Sequence, residues 1–462
     1  MPLQLTADSQ PIPLIYSQRR WWRNYSSNSP RMCAVAECIS GLLNVELLQA
    51  CIQELIRRHE ALRTRIVLLD GLPFQYFEPP GEYRLNVVDL TKRITGDLEN
   101  DPNAAIQQSI DLMIDLTKDP LFEARLWRLS ERRHVLVVLV DHLVADGVSN
   151  GIIAREIWSL YKEAVRGNPF ALPPLSYQFS DYASWLRQSH DAWMREHGAY
   201  WMDHLKGVCP LEIPCDDEIE QSSAPAGAAV HTPFGDDLSA RLRSVAQRER
   251  TLVSLVVLTA YVIAISHWCQ RKDVLIPVVS NGRYRHRASR NVVGYMASLV
   301  YLRVALDENE TFRGLLARVR LEFSLTFQHQ DFGRVPDFIP ECASDAGFNW
   351  QPTNWVGGRL DHHVMLECSN ELDRHAARYV EDSVPDQEGD RFLKIEPWRG
   401  RSPGLLKFAP VFFDTGSAIH MVVNYRRDRF HRRTIDRFRN SLLSIMEQMA
   451  TDSSARIASV NE

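Results

Sequence analysis

The stretch from residue 134 to residue 165 constrains the fold most, because an apolar strand runs directly into a polar turn and then into a helix. The run 134–140 (HVLVVLV) has the continuous, β-branched apolar composition of a strand that is buried on both faces. Asp141 and His142 follow it at once, and a helical pattern begins near Ser149 (SNGIIAREIWSLYKEAV). A turn of this kind brings functional side chains to the edge of a sheet.

Strands and helices are mixed at a similar scale in both halves of the chain. Asn44 is placed to cap a helix in which apolar residues recur at helical spacing (NVELLQACIQELIRRHE). Residues 167–176 are the best linker candidate, and residues 216–233 form a second loop-rich stretch. The remaining predicted elements are strands over 63–69, 120–129, 273–280 and 298–304, and helices over 105–117, 236–248, 251–268, 310–328 and 432–450.

Composition and charge exclude several classes of protein. The 462 residues carry 53 Lys+Arg against 58 Asp+Glu, so the chain lacks the basic excess with which nucleic-acid binders displace counterions. None of the eight cysteines lies in a CxxC pair and no signal peptide is recognisable, which predicts free thiols in the cytoplasm. The apolar run 251–268 contains Ser, Thr and His between charged flanks, so we expect a buried helix and no membrane span.

The most informative residues follow the strand at 134–140. His142 stands where an imidazole could face a cleft and accept a proton from an attacking nucleophile. Asp146 could orient that imidazole or form an ion pair, and Gly147 would allow a tight backbone turn and close approach of a substrate. A single HxxxD pattern also occurs by chance, so this motif alone does not exclude an ordinary His beside a turn Asp.

Further motifs occur in a fixed order between residues 17 and 331. They are SQRRWW at 17–22, RHEALRT at 58–64, DHLVADG at 141–147, DYASW at 181–185, VGYM at 293–296 with LR at 302–303, and HQD at 329–331. In these residues the chain resembles the condensation domains of nonribosomal peptide synthetases, within the chloramphenicol-acetyltransferase-like superfamily, whose core motif is HHxxxDG. RHEALRT and DHLVADG are the most specific matches, and the final motif of the family is not found.

The resemblance implies an α/β (α+β) fold of two chloramphenicol-acetyltransferase-like lobes, arranged as a V-shaped pseudo-dimer around a central tunnel. The lobes would cover residues 1–176 and 177–462. Such a protein transfers an acyl or aminoacyl group from a thioester to an amine or alcohol, largely by positioning the two reactants. The donor would arrive on the phosphopantetheine arm of an acyl or peptidyl carrier protein, or on CoA, and no cofactor would be bound. We further expect a free-standing monomer, without nucleic-acid or membrane partners.

The resemblance also assigns roles to individual residues. His142 would orient or deprotonate the nucleophile, Gly147 would line the channel, and Asp146 would form a structural ion pair with an arginine of the second lobe. Arg283 is the best match for that arginine, with Arg285 next. The other expected site residues are Arg63 and Ser298 as structural supports, and Ser149, Gln330 and Tyr16 as substrate contacts.

Asp141 is the main departure from the family pattern, because it stands where the first His of HHxxxDG is expected. We count Asp141 with the catalytic group, and its spacing to Asp146 and Ser149 also fits the DxxxxDxxS motif of heterocyclisation domains. Heterocyclisation is therefore one alternative, and a non-catalytic module that docks carrier proteins is another. LDHH at 360–363 offers two imidazoles and a carboxylate, but adjacent histidines point apart on a strand, so a metal site is the less favoured interpretation there. The basic run 283–287 could attract acidic or phosphate groups of a carrier protein, or it could be a solvated loop with one structural arginine.

Overall fold

The residues that the computed structural model describes make up most of the chain. They are 10–25, 29–91, 106, 112–170, 172–216, 227–283, 287–307, 309–330, 344, 346–352, 394–397 and 408–457. The backbone divides into two compact units, and each unit is built from separate stretches of the chain. The first unit contains Met1–Ser189, Asn281–Met296 and Thr353–Pro403, and the second contains His190–Ser280, Ala297–Pro352 and Gly404–Glu462.

The first unit combines two sheets with four described helices. Its strands are β1 (Ile12–Pro13), β2 (Ser29–Ser40), β3 (Thr64–Leu69), β4 (Leu72–Phe77), β5 (Asn86–Asp89), β6 (Met113–Ile114), β7 (Phe122–Ser130), β8 (Arg133–Asp141) and β13 (Lys394–Pro397). Its helices are α1 (Tyr16–Tyr25), α2 (Val45–Arg58), α3 (Gly147–Val165) and α4 (Phe179–Gln188). The larger sheet has the order β13-β2-β8-β7-β5 with β6 paired to β2, and the smaller has the order β1-β4-β3.

Strand β8 lies inside the larger sheet and pairs antiparallel with both β2 and β7. Every residue from His134 to Asp141 is buried, which explains why the sequence shows a continuous apolar run and no alternation. The strand ends at Asp141, and helix α3 starts at Gly147 with Asp146 as its N-cap. The predicted strand, polar turn and helix are therefore confirmed.

The helix predicted after Asn44 is also confirmed, as α2. The Asn44 side chain accepts a hydrogen bond from the Leu47 amide at 2.9 Å, which satisfies one of the amides that a helix start leaves unpaired. The buried side chains of α2 are Leu48, Cys51, Ile52, Leu55 and Ile56, at the predicted helical spacing.

The second unit has its own sheet and its own core. Its strands are β9 (Gly227–Pro233), β10 (Asp273–Ser280), β11 (Ser298–Ala305), β12 (Asn349–Pro352), β14 (Phe408–Asp414) and β15 (Ile419–Arg426). Its helices are α5 (His190–His204), α6 (Asp236–Arg248), α7 (Val253–Cys269), α8 (Phe312–Gln328) and α9 (Arg432–Thr451). The sheet has the order β12-β14-β15-β9, and β10 and β11 form a separate antiparallel pair.

Helix α7 is the buried helix that the apolar run predicts. The side chains from Leu255 to Ser266 are buried, and the Tyr261 ring packs against Phe348 and Phe412. Its buried Thr259 is satisfied locally, since the hydroxyl donates to the Leu255 carbonyl at 2.8 Å. In the described part of the chain, no single helix has the length and apolar composition of a membrane span. Only the pair α6–α7, bent by 106°, reaches those limits together.

Two predicted elements are wrong. Residues 113–117 do not continue a helix over 105–117: β6 pairs with β2, and a turn follows. The carboxylate of Asp115 accepts hydrogen bonds from the amide and the hydroxyl of Thr117, and such local bonds favour a turn over a helix. The end of the predicted loop 216–233 is strand β9, because it pairs over its whole length with the apolar strand β15.

Candidate active site around His142

His142 lies in the turn between β8 and α3, and its side chain is partly buried. Its Nδ1 is 2.7 Å from the carbonyl oxygen of Ala145. A carbonyl oxygen can only accept, so Nδ1 carries the proton and the lone pair of the neutral ring is on Nε2. The turn therefore selects the tautomer that a general base needs.

Two aromatic rings contact the imidazole of His142. The Trp21 ring lies edge-on to it, with centroids 4.8 Å apart and planes at 66°. The Tyr295 ring lies 4.4 Å away with planes at 31°. Burial raises the pKa of Tyr295 to about 12, so its hydroxyl is protonated at neutral pH. These contacts fix the plane of the imidazole.

Asp141 precedes His142 but is oriented by other groups. Its carboxylate is fully buried and accepts hydrogen bonds from the Ser29 hydroxyl at 2.6 Å and from the Leu143 amide at 2.7 Å. The Leu143 carbonyl in turn accepts a 2.8 Å hydrogen bond from the side-chain amide of Gln18, in the SQRRWW motif. Buried polar side chains therefore hold both the amide and the carbonyl of Leu143, the residue after His142.

Asp146 is the buried anchor of the turn. Its carboxylate accepts hydrogen bonds from the Ser149 amide and hydroxyl, as the N-cap of α3, and from the Met296 amide. The Arg283 guanidinium donates to both of its oxygens, at 2.7 and 3.0 Å. Burial alone would raise the pKa of Asp146, but the charge of Arg283 and these hydrogen bonds hold it below its ordinary value. The structure thus contains the ion pair that the resemblance implies.

Arg283 also organises the chain segment to which it belongs. Its guanidinium donates to the carbonyls of Val292 and Gly294, and it contacts the Ser149 hydroxyl at 3.0 Å. Residues 281–296 lie beyond the predicted lobe boundary at residue 176, but in the structure they belong to the first unit. This segment brings Tyr295 to His142.

Two glycines allow this segment to pack closely. A Cβ on Gly294 would lie 2.2 Å from the ring of Phe179 in α4. Gly282 has a φ of +69°, and a Cβ there would lie 2.0 Å from the Met296 carbonyl. Both positions therefore require the absence of a side chain. Gly147, by contrast, is simply the first residue of α3, where the turn meets the helix.

Residues of the RHEALRT motif form hydrogen bonds that connect α2 to α3 within the first unit. The His59 imidazole and the Arg58 guanidinium both donate to the Glu156 carboxylate in α3, at 2.8 and 3.0 Å. The guanidinium of Arg63 donates to the carbonyls of Ile56 and Glu78. The bonds of Arg58 and His59 hold the end of α2 against α3. Those of Arg63 connect α2 to the residue after β4, so its contacts are those of a structural support.

Tyr16, Ser298 and Gln330 do not join the His142 cluster in the described contacts. The Arg19 guanidinium lies 5.0 Å from the centre of the Tyr16 ring, at the start of α1. Ser298 and Gln330 belong to the second unit, where Ser298 is paired in register with Ser280. The Ser280 hydroxyl donates to the Gln330 side chain at 2.6 Å. The buried Ser298 hydroxyl has no hydrogen-bond partner within the described residues.

His329 and Gln330 of the HQD motif close the end of helix α8. The indoles of Trp201 and Trp193 in α5 donate to their carbonyls at 2.6 and 2.7 Å, respectively. The His197 and His329 rings share a 3.0 Å hydrogen bond between their Nδ1 atoms.

Asp331, Arg285 and the LDHH stretch at 360–363 lie outside the described residues. Among the residues that are described, no group of His, Cys, Asp and Glu side chains is arranged to hold a metal.

Sequence reasoning identified His142, Asp146, Ser149 and Arg283, which the structure brings together. It did not assign Trp21, Ser29 or Tyr295 to the site. Trp21 lies in the motif SQRRWW and Tyr295 in VGYM, and those positions could have indicated both residues. Nothing in the local sequence indicates Ser29, because a serine at the start of a strand is common.

Several named proteins are similar to this chain over most of its length. Chondramide synthase of Chondromyces crocatus is 29% identical over 472 aligned residues, which cover 97% of this chain and 11% of that protein. Surfactin synthase subunit 1 of Bacillus subtilis is 30% identical over 422 residues, which cover 90% and 11%. The chain thus spans about a tenth of the length of these curated relatives.

Solved structures share the fold at low sequence identity. The X-domain from teicoplanin biosynthesis has a TM-score of 0.79 at 21% identity, and all of both chains is covered. The first condensation domain of the calcium-dependent antibiotic synthetase, in complex with a substrate analogue, has a TM-score of 0.71 at 17% identity, with 97% and 98% covered. The mixed α/β fold class predicted from the sequence is confirmed. The family model described as "Condensation domain" matches residues 8–335, which is most of the chain, and the chain therefore belongs to the condensation domain family.

Proposed function

We propose that this chain is a condensation-type acyltransferase that joins a thioester-bound acyl or aminoacyl donor to an amine or alcohol acceptor. The tautomer of His142 carries the proposal: Nδ1 donates to the Ala145 carbonyl at 2.7 Å, which puts the basic lone pair on Nε2. Family membership supports the same reaction class, because condensation domains generally form amide bonds between carrier-bound substrates.

The chemistry that we propose needs one base and a positioned thioester. The acceptor nitrogen, or oxygen, attacks the thioester carbonyl, so that a C–N or C–O bond forms and the C–S bond breaks. His142 Nε2 takes the proton that the nucleophile loses and returns it to the departing thiolate, which leaves as a thiol. No net oxidation or reduction occurs, and no resident cofactor is required. General acid–base catalysis of this kind contributes about 10²–10⁴-fold to a rate.

The donor that we propose is the phosphopantetheine thioester of an acyl or peptidyl carrier protein, with CoA as the other thioester source. The supporting relatives are synthases such as surfactin synthase subunit 1. The acceptor is a small-molecule amine or alcohol, or a carrier-bound amine. Asp146 and Arg283 have a structural role in this proposal, because each directs its hydrogen bonds to the other and to the surrounding backbone.

The hydrogen bonds of the two carboxylates favour simple condensation over heterocyclisation. Asp141 accepts from Ser29 and Leu143, and Asp146 accepts from Ser149 and Arg283. Neither carboxylate is therefore poised to assist a second dehydration. Product mass distinguishes the two reactions, since cyclisation removes a further water. A non-catalytic docking module would instead bind loaded carriers without consuming them.

Replacing His142 with Ala tests the proposal. A panel of acyl- and aminoacyl-loaded carrier proteins and the corresponding CoA thioesters is incubated with amines and alcohols, and products are measured by mass spectrometry. We expect His142→Ala to lower kcat/KM at least ~10²-fold, because the proton acceptor is lost.

His267→Ala is the matched control, since His267 is an exposed imidazole of α7. It should keep the wild-type rate. Wild-type turnover by His142→Ala would contradict the proposed function. Binding of loaded carriers without turnover by the wild-type protein would instead support the docking alternative.

A further inference from the structure

A chain of buried hydrogen bonds connects Asp141 to the ring that contacts His142. The Trp21 indole Nε1 lies 3.0 Å from the Ser29 hydroxyl oxygen, and that hydroxyl lies 2.6 Å from the Asp141 carboxylate. Trp21, Ser29 and Asp141 are each more than nine-tenths buried. The same indole ring packs edge-on against the imidazole of His142.

The direction of each hydrogen bond follows from the chemistry of the groups. An indole N–H can only donate, so the Ser29 hydroxyl accepts from Trp21. That hydroxyl therefore donates its single proton to Asp141. Each bond in such a chain polarises the next. Asp141 thus fixes the orientation of the Trp21 ring.

A histidine at position 141 could not take over this arrangement. Asp141 accepts two hydrogen bonds at once, one from the Ser29 hydroxyl and one from the Leu143 amide. A neutral imidazole has a single acceptor nitrogen. One of the two buried donors would then be left unpaired, which is costly. The aspartate that replaces the first histidine of HHxxxDG therefore matches the hydrogen bond that Ser29 donates.

We propose that Asp141 is a positioning residue, which acts through Ser29 and Trp21 to hold the imidazole of His142 in its working orientation. The effect on catalysis rests on the proposed function, whereas the orientation itself does not. Asp141 has no role in a second dehydration in this arrangement.

Steady-state kinetics of four variants test the catalytic effect: Asp141→Asn, Ser29→Ala, Trp21→Phe and the double variant Asp141→Asn/Trp21→Phe. Each single change should lower kcat about 10-fold with little change in KM, the scale of one lost hydrogen bond in a rate. Because Trp21→Phe removes the indole N–H, the double variant should lose little more than Trp21→Phe alone. Multiplied losses in the double variant would overturn the proposal.

Ser266→Ala is the matched control for Ser29→Ala. The Ser266 hydroxyl is buried and donates to the Arg271 carbonyl at 2.6 Å in the second unit. Its removal should lower stability and leave kcat unchanged. Circular dichroism and urea unfolding show whether each variant is folded.

NMR of ¹⁵N-labelled protein tests the orientation without any substrate. The Trp21 indole signal is assigned by its loss in Trp21→Phe, and the His142 ring signals by their loss in His142→Ala. Asp141→Asn and Ser29→Ala should shift both, while the Trp158 indole, which donates to Glu37, stays in place. Unchanged Trp21 and His142 signals would overturn the positioning role. Shifted signals in a protein that turns over no substrate would overturn the proposed function alone.

Discussion

At the scale of single residues, the Asp146–Arg283 pair has the largest predicted effect on stability. Both side chains are almost fully buried, and each is hydrogen-bonded on several sides. Removing one charge leaves the other buried without compensation, which costs about 3–5 kcal/mol. We therefore expect Asp146→Asn to lower the free energy of unfolding by about that amount, as measured by urea denaturation.

The pH dependence of this pair has a defined sign. The pKa of Asp146 lies below its ordinary value in the folded protein. Its contribution is therefore complete above the unfolded pKa and is lost as the pH falls through the folded pKa. Asp146→Asn should remove that acid sensitivity. Asp191→Asn, at a side chain that is 82% exposed, is the control and should change neither stability nor its pH dependence. Equal stabilities of the two variants would contradict the buried pair as an anchor.

The residues of the site differ in how well sequence reasoning could find them. His142 follows an apolar strand, and Asp146 and Gly147 follow it within one turn, so a local pattern indicates them. Arg283 could be chosen only through the family resemblance. Trp21 and Ser29 reach the site through tertiary packing of α1 and β2, and no local spacing predicts that contact.

At the scale of elements, the segment 281–296 depends on its close contact with α4. A methyl group on Gly294 would lie 2.2 Å from the Phe179 ring, so the segment must shift to accept it. Because Tyr295 is the next residue and contacts His142, we expect Gly294→Ala to lower kcat about 10-fold as well as stability. Turnover assays and urea unfolding of the same samples measure both effects.

Two further variants separate this clash from a general effect of alanine. Gly81→Ala has no atom within 4 Å of the added Cβ and should resemble the wild type. Phe179→Leu makes room beside residue 294, so the double variant Phe179→Leu/Gly294→Ala should recover part of the lost kcat. A Gly294→Ala protein with wild-type rate and stability would show that the segment does not need this close approach.

The elements that could be predicted are those with an unbroken local pattern. Strand β8 and helix α7 each contain a long apolar run, and α2 has both a cap and a regular apolar stripe. Strand β2 lacks such a pattern, since it carries the buried Glu37, whose carboxylate accepts a hydrogen bond from the distant Trp158 indole of α3. Residues 227–233 form strand β9 because they pair with β15. That partner lies far along the chain, so the local sequence does not predict the pairing.

At the scale of the whole molecule, each unit contains a histidine that resists protonation: His134 is buried and His420 is half-buried. Burial, with Arg128 adding to it, lowers the pKa of His134 in β8 to about 4. Burial and the neighbouring His231 lower the pKa of His420 in β15 to about 4, against the opposing charges of Asp414 and Asp236. Acid therefore acts on both units in the same direction, because each contains a histidine with a lowered pKa.

We expect the stability of the protein to fall as the pH decreases from about 6.5 toward 4, with at most about 1.4 kcal/mol per pH unit from each histidine. In this window the unfolded chain takes up protons on His134 and His420 while the folded chain does not, so acid favours unfolding. Urea midpoints between pH 5 and 6.5 should therefore vary less in His134→Gln and His420→Gln than in wild type. His267→Gln, at an exposed imidazole, should keep the wild-type slope. Identical slopes in all four proteins would show that neither His134 nor His420 titrates on unfolding.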